Sequence, residues 1–135
     1  MYTVQPADPI HMPFILSSYL HSRWAEEKQN QNKEEWYTTN KLFFIRILSD
    51  PTTNIMVAAD TEDPTQIYGW ICTDDSQNII WGYIKKAFRK EFKILESLTR
   101  DMPTTAAYMF KSSYLKNKTN YAYDPILLRR YADMP

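Results

Sequence analysis

Five basic side chains crowd one short stretch of the sequence: Lys85, Lys86, Arg89, Lys90 and Lys93. Such side chains hold anions, by charge alone for lysine and by a planar fork of donors for arginine. The two histidines lie apart, His11 beside a proline-rich turn and His21 in a helical stretch. Their spacing yields no Ser-His-Asp pairing, so surface or helix-face roles are expected for both. Asp60, Asp63, Asp74 and Asp75 fall in turn-forming segments, where a carboxylate bonds nearby backbone and needs no metal to explain it. Cys72 is the single cysteine, so neither an intramolecular disulfide nor a cysteine-based zinc site can form within the chain. It lies in an apolar strand without a basic neighbour, which predicts a buried small hydrophobe rather than a nucleophile. Trp70 and Trp81 fall in neighbouring strand-like segments and are expected to pair across a sheet. Exposed tryptophans would instead make a platform for a protein partner.

The elements that must position these residues follow from hydrophobic period and turn chemistry. Tyr2 to Gln5 reads as an opening strand closed by Pro6 and Pro9. Phe14, Ile15, Leu16, Tyr19, Leu20 and Trp24 recur at helical spacing, which predicts a helix over about 12–25. Residues 26–36 are polar and are expected as a loop or frayed helix. A second helix is expected to start at a Thr38 or Thr39 cap and to stop at Pro51. Asn54–Asp60, Ile67–Thr73 and Asn78–Ile84 then read as three strands joined by short turns, an antiparallel meander. The helical period returns from Lys85 and runs to Met102-Pro103, with Ile84, Phe88, Phe92, Leu95 and Leu98 near one face. A strand over Thr105–Phe110, a short helix capped by Ser112 or Ser113, and a strand at Tyr121–Tyr123 complete the order. That order, β-α-α-β-β-β-α-β-α-β, predicts an α+β fold of mixed layers, with helices on a central, mostly antiparallel sheet.

At 135 residues the chain is expected to be a single domain over 1–135, with residues 124–135 as an extended tail. The tail, apolar and then basic, is expected to dock on a neighbouring subunit or to fold back. No apolar run approaches the roughly 20 residues a membrane span needs, and no basic region precedes the apolar part of the N-terminus, so neither a membrane segment nor a signal peptide is expected. A cytoplasmic location follows as the expectation. The formal net charge of zero hides an asymmetry. Residues 1–84 hold 5 Lys/Arg against 11 Asp/Glu, a net of −6, and residues 85–130 hold 11 against 4, a net of +7. Solvated helix faces account for such a split. The sharper alternative is that the basic half meets an anion: a nucleotide cofactor, a nucleic acid or an acidic protein. A basic-aromatic RNA surface would draw on the same residues, but the glycine-containing pattern of an RNA-recognition strand is missing.

The segments PADPIHMPFILSSYLHSRW, NIMVAADTEDPTQIYGWI, NIIWGYIKKAFRK and YAYDPILL, with the element order, resemble the GCN5-related N-acetyltransferase (GNAT) family, in particular its small phage-encoded GNAT-like proteins. The resemblance covers most of the chain. It implies a GNAT-like sheet and places Ile84-Lys85-Lys86-Ala87-Phe88-Arg89 where the family's fourth strand enters the coenzyme A pyrophosphate loop. Family members hold the pyrophosphate on backbone N–H groups at a helix N-terminus, through a loop of the form Arg/Gln-x-x-Gly-x-Gly/Ala. Glycines there let the backbone approach the phosphates. Here Arg89-Lys90-Glu91-Phe92-Lys93-Ile94 occupies the window, with Phe92 and Ile94 at the glycine positions and Glu91 adding negative charge. Only Gly69 and Gly82 occur in the whole chain. The resemblance therefore implies a degenerate loop, no cofactor, and a binding or structural role in a virion or on a host target, through a protein partner or self-association. The alternative is a divergent N-acetyltransferase that takes acetyl-CoA. Arg89, Lys90 and Lys93 would then hold the phosphates, and Tyr114 (or, second, Tyr108) would match the family's tyrosine acid that protonates the leaving thiolate.

Overall fold

A computed structural model describes the chain except for residues 28–29, 90–92, 104–105, 120 and 133–135. The chain order is β1 (Tyr2–Pro6), α1 (Met12–Glu27), α2 (Lys33–Ser49), β2 (Asn54–Asp60), β3 (Ile67–Thr73), β4 (Ile79–Ile84), α3 (Lys93–Thr99), β5 (Ala107–Tyr108), α4 (Ser113–Lys118), β6 (Ala122–Tyr123) and α5 (Arg129–Ala132). Short 3-10 turns precede α1, follow β4 and precede α5. The strands form one six-stranded sheet in sequential order. β1 to β4 pair antiparallel, and the β4–β5 and β5–β6 pairs are parallel. This is an α+β protein with a mixed, mostly antiparallel sheet. The two parallel joins require crossovers, and α3 and α4 supply them.

The sheet separates two cores. On one face α1 and α2 cover Val57, Ala59, Trp70, Cys72, Ile80 and Trp81. On the other, α3 and α4 place Ile94, Leu95, Leu98 and Leu115 against Ile71, Ile79 and Ile84. Two register shifts tune this sidedness, one between Ala58 and Ala59 and one between Cys72 and Thr73. At the second, Trp81 opposes Cys72 while Ile79 opposes Thr73, so Ile80 is the extra residue. Such a bulge puts consecutive side chains on one face, and both Ile80 and Trp81 enter the first core. At the first shift Gly69 faces the second core. A Cβ there would lie 2.6 Å from Ile84 Cδ1 and 2.9 Å from the Tyr83 carbonyl oxygen, closer than packed atoms tolerate.

Several expectations need correction. α2 starts at Lys33, not after Thr38, because the Asn32 side chain accepts the Glu35 N–H at 3.0 Å and Trp36 is already a buried anchor. The polar stretch around it masks both signals. Of the long helix expected from Lys85, the described residues form the seven-residue α3. Lys85 extends the ladder instead, its N–H donating to the Tyr68 carbonyl, and the Phe88 ring stacks on Tyr68 at 4.4 Å. Two residues of the apparent helical face, Ile84 and Phe88, thus belong to a strand and a turn. Among the described residues the strand expected over Thr105–Phe110 is β5, two residues long, and Thr105 lies outside the described residues. Trp70 opposes Tyr83, so Trp70 and Trp81 are diagonal neighbours, not a facing pair. His11 is buried, not at the surface. Its Nδ1 accepts the Asp8 N–H at 3.0 Å, which puts the ring proton on Nε2, 2.9 Å from the Pro64 carbonyl. Residues 125–132 fold back, with Tyr131 fully buried in the first core and Leu127 and Leu128 against it. Among the described residues no helix is long and apolar enough to cross a membrane.

Candidate functional site

β4 and β5 touch at one register position, Ile79 opposite Tyr108, backed by the Met109 N–H donating to the Ile79 carbonyl at 2.8 Å. Past that point the chain turns away into α4, and the Ser112 hydroxyl caps that helix by accepting the Leu115 N–H at 3.2 Å. The second half of β4 is left beside a cleft of about 320 Å³. Trp81 and Tyr83 line it from the strand, Arg89 from the turn after β4, and Ser112 and Tyr114 from the start of α4. His21, Ser22 and Glu26 line it from α1.

Each wall has a local cause. Ser18 and Ser22 sit one turn apart on α1, and each hydroxyl accepts an indole N–H at 2.8 Å, from Trp70 and Trp81 respectively. These bonds satisfy two otherwise buried donors and set the helix against the sheet. Just behind, Arg23 is nearly sealed from solvent. It donates to the Tyr19 hydroxyl and to Asn40 Oδ1, each at 3.0 Å, and to the Glu27 carboxylate, while its guanidinium lies 3.7 Å from the Phe110 ring centroid. On the opposite wall the Arg89 Nε donates to the Ile84 carbonyl at 2.6 Å, and the guanidinium sits 5.2 Å from the Tyr83 ring centroid. Burial raises the Tyr114 phenol above its ordinary value, and the nearby Arg89 charge opposes that rise. The phenol therefore keeps its proton at neutral pH. Arg89, the Glu26 carboxylate, a phenol and hydroxyls over an aromatic floor suit a ligand that carries hydrogen-bonding groups.

The structure brings Arg89 and Tyr114 together in this cleft. It does not bring Lys93 or Ile94 there. Lys93 is exposed at the start of α3, and its carbonyl accepts bonds from the Tyr2 and Ser97 hydroxyls. Ile94 is buried in the second core, next to the site of Gly69. Lys90, Glu91 and Phe92 lie outside the described residues. Tyr108 is buried and stacks on Tyr123. Sequence reasoning missed His21, Ser22 and Glu26 as lining residues. The i, i+4 spacing of Ser22 and Glu26 put them on one helix stripe, but nothing local showed which face of α1 that stripe would meet.

The remaining candidates have structural roles. Cys72 is fully buried, and burial first, then the Asp74 charge, pushes its thiol far above the ordinary range. Asp60 accepts the Glu62 and Asp63 N–H groups, and Asp74 those of Ser76 and Asn78, as turn carboxylates do. Among the described residues no group of three or more His, Cys, Asp or Glu could hold a metal ion. No protein-family model matches the chain, and no curated protein matches it.

Proposed function

We propose that this chain is a GNAT-fold protein that has lost the coenzyme A pyrophosphate loop and acts as a binding or structural protein, in a virion or on a host target. The observation that carries the reading is the fate of the loop window. Ile94, at the family's last small position, is 4% exposed and packs into the second core beside Ile84. A residue committed to that core cannot also leave room for a phosphate against the backbone. Arg89 has its Nε engaged by the Ile84 carbonyl. The cleft where the parallel strands part then serves as a recognition surface for a protein partner, and self-association is the second form of the same role.

One observation favours the alternative of a divergent N-acetyltransferase. Arg89 and Tyr114, a cation and a protonated phenol, share one cleft. Titration with acetyl-CoA under a thermal-shift readout separates the two. Ligand at a hundredfold excess over its dissociation constant stabilises a native state by about 2.7 kcal/mol. The lost-loop reading expects no shift at millimolar ligand. A saturable shift that weakens in Arg89→Ala and with added salt would overturn it and favour the enzyme, with Tyr114→Phe as the next variant.

A further inference from the structure

A second cleft, of about 470 Å³, opens on the far side of Ser112, between the β5–β6 edge and α4. Tyr108, Tyr123, Lys111, Lys116 and Asn117 line it with Ser112. Tyr108 and Tyr123 are register partners in the parallel β5–β6 pair, and their rings stack at 5.6 Å with 29° between planes. Tyr108 is buried at 5% exposure, whereas Tyr123 is 46% exposed. The inner ring is thus fixed, and the outer ring rests on it while leaving much of its surface open. Lys111, Lys116 and Asn117 are exposed beside this stack. No acidic side chain is among the described residues that line the cleft. The acid nearest in sequence, Asp124, is engaged as a turn cap that accepts the Ile126 N–H. Across residues 107–130 the sequence holds 5 Lys/Arg against 1 Asp/Glu, a net of +4.

A rigid aromatic ring flanked by lysines and an amide is the chemistry that holds a base by its face and a phosphate by its charge. We propose that this cleft binds a nucleotide unit, a planar base with its phosphate, either free or within a single strand. The cleft is separate from the β4–β5 cleft, and the proposal does not depend on how that site is read. Stacking is tolerant of base identity, so little sequence preference is expected. Two lysines on phosphate predict a modest salt dependence, a log–log slope of about −1.4 for a single strand.

The test is fluorescence anisotropy of the full chain with a short labelled oligo-dT, and with the same strand in duplex form. Free AMP and polyglutamate serve as unlabelled competitors. Saturable binding of the single strand is expected, with Tyr123→Ala weakening it by about 5- to 150-fold and Lys116→Glu lowering both the affinity and the salt slope. Both side chains are exposed, and circular dichroism checks that each variant folds. Competition by AMP would assign the site to a free nucleotide; single-strand binding without it would assign the site to a strand. Equal binding of duplex, or equal competition by polyglutamate, would reduce the site to a patch of charge and overturn the proposal. Unchanged binding in Tyr123→Ala, or no binding of strand or AMP at millimolar concentration, would overturn it as well.

Discussion

The two faces of the sheet are built on different physics. Under α1 and α2 the core is aromatic and directional. Tyr19 stacks on Phe44 at 3.7 Å with rings 4° from parallel, two indole N–H groups reach serines, and a buried arginine is held in a ring of aromatics. Under α3 and α4 the core is mostly aliphatic, with Ile71, Ile79, Ile84, Ile94, Leu95, Leu98 and Leu115 held by shape. Hydrogen bonds between fixed partners specify one angle and one register, whereas aliphatic packing accepts volume-conserving swaps. The β4–β5 cleft draws walls from both sides. Its α1 wall is pinned by directional bonds, and its α4 wall is carried by a six-residue helix.

The largest test of this contrast is a pair of substitutions. Trp70→Ala should cost about 3–5 kcal/mol and Ile94→Ala about 2–5 kcal/mol in urea denaturation, since both empty a core. The conservative forms should diverge. Ile94→Leu should cost under about 1.5 kcal/mol, while Trp70→Phe should cost more, because it removes both volume and the bond to Ser18. Equal costs for the two conservative changes would mean that the bonds to serine do not distinguish the faces.

Alkaline pH should attack the aromatic face next. Burial pushes the Tyr19 phenol from 10.0 up to about 12, with Arg23 opposing the rise, and raises Cys72 from 9.0. A raised folded pKa means that the neutral form is favoured in the native state. The contribution is intact below the unfolded pKa and is lost as pH climbs through the folded one. Stability should therefore begin to fall near pH 9 and continue to fall toward pH 12. Tyr19 contributes to the part of that loss that falls between pH 10 and about 12. Tyr19→Phe should make the fall between pH 10 and 12 shallower, leaving the part due to Cys72; an unaltered slope there would show that Tyr19 does not contribute.

The smallest effect separates the two glycines. Gly69→Ala should destabilise by about 1–3 kcal/mol, as overpacking against the Tyr83 carbonyl demands. At Gly82 an added Cβ meets nothing closer than 3.6 Å, so Gly82→Ala should stay within about 0.5 kcal/mol. Similar melting temperatures for the two variants would mean that the sheet relaxes around position 69.

Legibility in the sequence followed the range of the forces involved. β2 and β3 were readable to the residue, because runs rich in β-forming apolar residues lie between Asp-rich turns that bound them locally. α4 was readable through Lys118 from its serine cap, with Ser112 and Ser113 both open as the cap until the structure decided for Ser112. The start of α2 was not, since its Asn32 cap lies in a polar stretch and its first buried anchor is a single tryptophan. The length of α3 misled, because Ile84 and Phe88 satisfy a helical period while serving a strand and a turn.

The site was legible as residue types but not as a place. Arg89 and Tyr114 stand out as a cation and a phenol, yet they are 25 positions apart. What joins them is the parting of two parallel strands after one paired position. The sequence alone determined the α+β alternation, the turn chemistry and the absence of glycine from the window before α3, all of which are short-range properties of the chain. Only the tertiary structure decided which helix faces which side of the sheet, that Lys93 and Ile94 leave the cleft, and that His21 and Glu26 enter it. Those outcomes depend on how bulges, crossovers and buried hydrogen bonds are satisfied together, and no local window contains them.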